Sequence, residues 1–207
     1  MDMKQYDMKT RLSSIKLLLL DVDGVLTDGK ITYTDSGEEI KSFCSKDGLG
    51  IRLLMDSGVK IGIVTGRAAN GALIARCKNL GIDLIFDRIK DKTAALRKIV
   101  EEAIVTKPTV IKEIFENQTI TKQIPADKIE TQELHYSEVA FAGDDLPDIP
   151  VMRKCGFSFA VANASPEVMK IADYTTKTRG GDGAVREICE AILKAKGQWE
   201  DILRHWG

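Results

Sequence analysis

Leu17-Leu18-Leu19-Leu20-Asp21-Val22-Asp23-Gly24-Val25-Leu26-Thr27-Asp28-Gly29 decides how this chain is read. Four leucines running into a charged turn predict a strand buried on both faces, as in parallel sheets. The strand is expected over about 15–22 and ends in Asp21 and Asp23. At i, i+2 on a strand, their side chains share one face. Gly24 lets the backbone turn sharply while another group comes close. Paired carboxylates at the end of a buried strand repel each other and lose hydration unless a cation joins them. Donors that are all oxygen favour magnesium.

Outward from this stretch, short apolar runs alternate with helical patterns. Lys30 to Tyr33 and Glu39 to Phe43 flank Asp35-Ser36-Gly37 and predict a β-hairpin within 29–43. A helix is expected over 48–56, stopped by Gly58, then a strand over 59–65, a helix over 70–79 and a strand over 83–86. A helix over 91–103 follows, and a strand over 138–142 ends in Gly143-Asp144-Asp145. Further strand and helix segments are expected at 157–161, 166–172 and 184–194. The alternation predicts an α/β fold, a Rossmann-like parallel sheet with helices on both faces. A small hairpin flap follows strand one, and the gaps before Thr65 and Lys92 are too short for a cap domain. The 207 residues suit a single domain. Within it, 106–136 is long for a connection, and Val110, Ile111, Ile114 and Phe115 fit an extra amphipathic helix. In the tail, 197–207, Trp199, Ile202, Leu203 and Trp206 make an apolar face that is expected to pack on a neighbouring subunit or, equally, on its own.

Lysine and arginine number 30 against 31 acidic residues, a net charge of −1. That balance gives no basic footprint for nucleic acid or an anionic membrane. The N-terminus is polar, no apolar run approaches membrane-spanning length, and a cytoplasmic location is expected. Cys44, Cys77, Cys155 and Cys189 are too scattered for a zinc site or a disulfide framework and read as reduced thiols. With two histidines and no Gly-x-Ser-x-Gly elbow, serine-hydrolase chemistry is disfavoured.

In a parallel sheet, ligands bind beyond the carboxyl ends of the strands where the strand order switches. Four sets of polar groups sit at such ends: Asp21 and Asp23; Thr65-Gly66-Arg67; Lys92, opening a helix; and Asp144, Asp145 and Asp148. Together they predict a metal-plus-phosphate site, with acids on the cation and Thr65, Lys92 and helix N-termini on phosphate oxygens. A carboxylate already ionised at pH 7 can attack phosphorus without an activating base. Asp21 is expected to be the nucleophile and Asp23 the acid/base.

These residues resemble the haloacid dehalogenase superfamily, whose first motif is DxDGxxxD at the end of strand one. Asp21, Asp23, Gly24, Asp28, Thr65, Lys92 and Asp144-Asp145 carry the resemblance. It implies magnesium-dependent phosphoryl transfer through an aspartyl-phosphate. Asp21, the Asp23 backbone carbonyl and Asp144 would hold the metal, supported by Asp145 or Asp148. Within the superfamily, the chain is similar to the capless 3-deoxy-D-manno-octulosonate 8-phosphate phosphatases of lipopolysaccharide sugar synthesis. Gly37 to Phe43, Lys46 to Arg52, Val64 to Arg67, Gly143 to Met152 and Gly180 to Glu187 carry this closer likeness. It implies substrate contacts at Cys44, Ser45, Lys46, Asp47, Gly48, Arg52, Gly66, Arg67 and Arg76. It also implies a homotetramer in which neighbouring hairpins and tails help cover the site around a small phosphorylated sugar acid. Lys46 stands where those enzymes usually carry arginine, and Cys44 where they carry asparagine.

Four other readings compete, one of them a broad capless phosphatase acting on a protein. A nine-carbon, sialic-acid-type ulosonate 9-phosphate is the rival substrate, disfavoured by Arg67 where that branch often has glutamate. A receiver-like phosphorylation switch needs its acceptor aspartate on the third strand, where this chain has none in a comparable setting. A catalytically silent assembly subunit would have little use for the full set of acids.

Overall fold

The computed structural model describes residues 3–101 and 134–206. The helix expected around Val110 to Phe115, and nearly all of 106–136, lies outside the described residues. Six parallel strands form one sheet: β1 (Leu17–Leu20), β4 (Lys60–Val64), β5 (Leu84–Phe86), β6 (Val139–Gly143), β7 (Phe157–Ala160) and β8 (Tyr174–Thr175). Their order is β5-β4-β1-β6-β7-β8. Leu20 pairs with Ile63 on one side and Ala142 on the other. The four leucines of β1 are completely buried, as a central strand covered on both faces requires. The chain runs outward from β1 to β5, then returns to β6 and runs outward the other way. The order therefore reverses beside β1, and the mouth of that switch is where Asp21 emerges.

The eight described helices are α1 (Met3–Ser13), α2 (Ser45–Asp56), α3 (Gly71–Leu80), α4 (Lys92–Glu101), α5 (Ile149–Met152), α6 (Pro166–Ile171), α7 (Ala184–Ala195) and α8 (Trp199–Trp206). Contacts group α1, α2, α3 and α7 on one face and α4, α5 and α6 on the other. The burial of α7 follows its sequence: Ala184, Val185, Ile188, Cys189, Ile192 and Leu193 form an inward stripe at helical spacing. Each large apolar side chain buried there contributes about 1.5–3 kcal/mol. Asn70 caps α3 by accepting from the Leu73 N–H at 3.0 Å. The hairpin is β2 (Thr32–Tyr33) with β3 (Glu39–Ile40), antiparallel, with Tyr33 opposite Glu39. Between β1 and β4 the chain holds only the hairpin and α2, and between β4 and α4 only α3 and β5. No cap domain is present among the described residues.

The structure departs from the expected elements in four places. Helix α2 begins at Ser45 rather than at Gly48, because close packing on α7 outweighs glycine's poor helix propensity. Helix α1 has a weak apolar pattern. It is fixed instead by Arg11, which donates to both Asp173 carboxylate oxygens at 2.7 and 2.9 Å and to the Gly156 carbonyl. Strand β8 has two residues, too few to show a period. In the tail helix, Trp199 and Ile202 pack on this chain's own core while Leu203 stays exposed. All four cysteines are free. Among the described residues, no helix is long and apolar enough to cross a membrane.

Candidate active site

The Asp21 N–H donates to the Ala142 carbonyl of β6 at 3.0 Å, so the strand's last bond sets the position of this carboxylate. The chain then makes a tight turn over Val22–Leu26, with Gly24 at φ 94°. The Thr27 hydroxyl braces the turn, accepting from the Gly24 and Gly29 N–H groups at 3.3 Å each. A side chain at Gly24 would run into the Asp144 carboxylate, which is why only glycine fits there. Gly180 presses its backbone on the Gly24 carbonyl from the other side and leaves no room for a Cβ.

Lys92 opens α4 and reaches into the crevice. Its ammonium lies 2.7 Å from Asp21 Oδ1 and 2.5 Å from Asp148 Oδ1, with all three residues buried. Asp148 Oδ2 accepts from the Asp144 N–H at 2.9 Å and the Asp145 N–H at 3.3 Å, so the acid that braces the loop also holds the lysine. Burial, with added repulsion from Asp148, pushes Asp21 up to about 6 against the pull of Lys92. Burial and the charges of Asp21, Asp148 and Asp145 push Asp144 up to about 7. Burial alone would lower Lys92, but Asp21 and Asp148 outweigh it and hold it above its ordinary value.

Carboxylate oxygens of Asp21, Asp144 and Asp148 lie within 4.8 Å of one another. One ammonium cannot balance three such acids, and their mutual repulsion adds to burial in raising Asp21 and Asp144. A divalent cation with an all-oxygen preference fits this donor set. Asp145 faces solvent and caps the following turn through Leu146 N–H at 2.8 Å, so Asp148 rather than Asp145 joins the buried group.

Asp23 faces a different environment. Its Oδ1 is bonded to the Lys41 ammonium, and its Oδ2 lies 3.7 Å from Arg67 Nε. Glu39 joins the two cations, with Oε1 2.7 Å from Lys41 Nζ and Oε2 2.5 Å from Arg67 Nη2. The Tyr33 hydroxyl lies 3.4 Å from the same Arg67 nitrogen. Sequence reasoning does not single out Lys41, Glu39 or Tyr33, which belong to no strand-end motif. Their signal is the period of two across the hairpin, which gives them one shared face.

Thr65 is buried at the end of β4, and its hydroxyl accepts from the Arg67 N–H at 3.2 Å. Gly66 is exposed beside it. Arg76 lies over Gly48 and donates to the Cys44 carbonyl at 3.1 Å, with its guanidinium 6.0 Å from the Phe43 ring centroid. Ser45 and Lys46 are exposed at the start of α2. Asp47 turns away from these: it is buried, and its Oδ1 accepts from the Arg186 N–H at 2.7 Å at the start of α7. Burial raises its pKa against the lowering effect of the Arg186 and Gly183 backbone groups. Arg52 donates to the Asn79 carbonyl at 2.9 Å and ties α2 to α3.

Residues 85–188, which include Lys92, Asp144 and Asp148, match the haloacid dehalogenase-like hydrolase family. The 3-deoxy-D-manno-octulosonate 8-phosphate phosphatase of Escherichia coli is 37% identical over 94% of this chain and 88% of its own length. The chain belongs to the haloacid dehalogenase-like hydrolases. Two solved phosphatase structures extend the likeness to the whole fold. A probable phosphatase from Pseudomonas syringae pv. phaseolica is 38% identical, with a TM-score of 0.80 and 97% of each chain covered. The octulosonate 8-phosphate phosphatase of Moraxella catarrhalis, solved with magnesium, phosphate and the sugar acid, is 32% identical, with a TM-score of 0.81 over 100% of both chains.

Proposed function

We propose that the chain is a magnesium-dependent phosphatase that hydrolyses 3-deoxy-D-manno-octulosonate 8-phosphate to the free sugar acid and phosphate. Its place would be lipopolysaccharide sugar biosynthesis in the cytoplasm. The observation that carries this reading is Asp21 gripped by Lys92 beside Asp144 and Asp148, at the switch point of the sheet. The relatives that share the fold along its length support the choice of substrate.

An Asp21 carboxylate oxygen attacks phosphorus, the bond from phosphorus to the sugar oxygen breaks, and an aspartyl-phosphate forms. Asp23 gives a proton to the departing alkoxide. It then takes one from the water that attacks the aspartyl-phosphate, and phosphate leaves with Asp21 restored. Thr65 and Lys92 hold phosphate oxygens, and Lys92 keeps the Asp21 carboxylate in place. Asp21, Asp144 and the Asp23 backbone carbonyl, with Asp148 behind them, would hold magnesium, which would supply positive charge to offset that of the transferring phosphoryl group. Arg67 and Arg76 would take the sugar acid's anionic and hydroxyl groups, with Cys44, Ser45, Lys46, Gly48 and Gly66 shaping that side, while Asp47 and Arg52 would act from behind by fixing α2 on α7 and α3. In a homotetramer, neighbouring subunits would cover the open crevice and exclude water.

Phosphate release with and without magnesium tests this reading, using the eight-carbon and nine-carbon ulosonate phosphates and an aryl phosphate side by side. A magnesium-dependent preference for the eight-carbon ester is expected. Preference for the nine-carbon ester would keep the chemistry and replace the substrate. No turnover of any of the three would reject the enzyme.

A further inference from the structure

We propose that Lys41 is a positioning residue that aims the Asp23 carboxylate for its proton transfers, with Glu39 as the anchor that fixes Lys41. The inference rests on the phosphatase reading above, which uses Asp23 as acid and base. Tyr33 sits opposite Glu39 in the hairpin, and Lys41 follows Glu39 by two residues, so all three share the face toward the crevice. Tyr33, at the outer edge of that face, is exposed, whereas the Glu39 and Lys41 side chains are 16% and 5% exposed. Asp23, Lys41, Glu39 and Arg67 close a ring of two acids and two cations. Each Asp23 oxygen faces one cation, and each Glu39 oxygen holds one of the same two cations.

The two cations differ in what else they can reach. The Lys41 side chain is 5% exposed and lies between two carboxylates, whereas that of Arg67 is 40% exposed. Arg67 is therefore the cation open to substrate, and Lys41 acts on Asp23. Asp23 needs such a hold. It follows the end of β1 on a turn, its side chain is 21% exposed, and its turn residue Gly24 constrains the backbone but not the carboxylate. A proton transfer requires the donor within about 3.2 Å of the leaving oxygen, and a shift of about 1 Å costs on the order of 100-fold. The ring also holds the hairpin, whose two-residue strands are too short to be stable alone.

The test compares wild type, Lys41→Met, Lys41→Arg, Glu39→Gln, Asp23→Asn and the Asp23→Asn/Lys41→Met double variant, each with saturating magnesium. It measures steady-state hydrolysis of the octulosonate phosphate and single-turnover release of p-nitrophenolate from its phosphate ester, a leaving group that needs no proton. For Lys41→Met we expect kcat on the sugar phosphate to fall about 10- to 100-fold, with KM within about threefold and p-nitrophenolate release within about fivefold of wild type. Lys41→Arg should recover most of the loss, and Glu39→Gln should show the same pattern at smaller size. Lys41→Met should add nothing in the Asp23→Asn background. A raised KM with unchanged kcat, equal losses on both esters, or additive losses in the double variant would overturn the proposal. If Asp23→Asn itself treats both esters alike, the acid/base assignment fails and the proposal falls with it. If the wild type releases no phosphate from either ester, the phosphatase reading fails first.

Discussion

Asp21 and Asp23 stand two residues apart on one turn, yet their carboxylates are held in opposite ways. Asp21 is 7% exposed and shares one buried lysine with Asp148, inside a frame made by β1, β6 and the start of α4. Asp23 faces the opening and is gripped by a ring whose other members come from a two-strand hairpin and the end of β4. In the first region, core elements put more negative charge together than the lysine can balance. In the second, two acids meet two cations and the ring is neutral. The difference separates two demands on one site. The Asp21 half holds its geometry through burial and is electrostatically poised for a cation. The Asp23 half is held by ion pairs on a small hairpin, with Lys41 enclosed among them and Arg67 partly exposed.

The largest expected effect is on the buried half. Asp21→Asn should reduce turnover by on the order of 1,000-fold or more while thermal unfolding stays cooperative, because the nucleophile is lost and the strand is not. Substantial residual turnover would remove Asp21 from that role. Next comes the pair of lysines. In the metal-free protein, Lys92→Met should cost about 3–5 kcal/mol in urea unfolding, since it strands buried carboxylates. Lys41→Met should cost about 1 kcal/mol, because Asp23 and Glu39 can regain water. Equal costs would break the comparison.

A pH series sharpens it further. Burial and neighbouring acids push Asp21 up to about 6 and Asp144 up to about 7 in the folded chain, against about 4 when unfolded, so the folded state binds protons more readily. Metal-free stability should therefore rise as pH falls from 8 to 6, as these acids neutralise. The trend should reverse only below about pH 4, where ion-paired acids held low, such as Asp173 and Glu187, begin to protonate. Magnesium should flatten or invert the slope between pH 8 and 6 by competing with those protons. Calorimetry with and without magnesium reads this directly, and Asp144→Asn should flatten the metal-free slope. The smallest effect is expected at Lys46, which is exposed. Lys46→Arg should change stability by less than about 0.5 kcal/mol and leave use of the octulosonate phosphate unchanged or improved, as steady-state assays would register.

Much of the buried half is legible in the amino-acid sequence. The leucine run, the i, i+2 acids and the apolar strands ending in Thr65 and Gly143-Asp144-Asp145 name the strand ends, and a parallel sheet has one place where such ends meet. That logic works because burial on both faces leaves a strong mark on composition. It does not decide between Asp145 and Asp148, since both follow the same strand. The backbone of the turn decides, aiming Asp148 inward at Lys92 and leaving Asp145 in water.

The hairpin half is legible only as an element. Its alternation announces two strands, but Lys41 and Glu39 look like ordinary surface charges until the hairpin folds over Asp23, a contact between residues 18 apart. Asp47 shows the same limit from the other side. Ser45 and Lys46 beside it are exposed, while its own carboxylate is drawn to the start of α7, 139 residues away. By itself, then, the sequence determined the parallel sheet apart from β8 and which strand ends carry the acids, Thr65 and Lys92, because these follow from local patterns of burial. Only the tertiary structure decided which charges pair across the crevice. An ion pair is set by where two distant backbones bring their side chains, and no local pattern carries that distance.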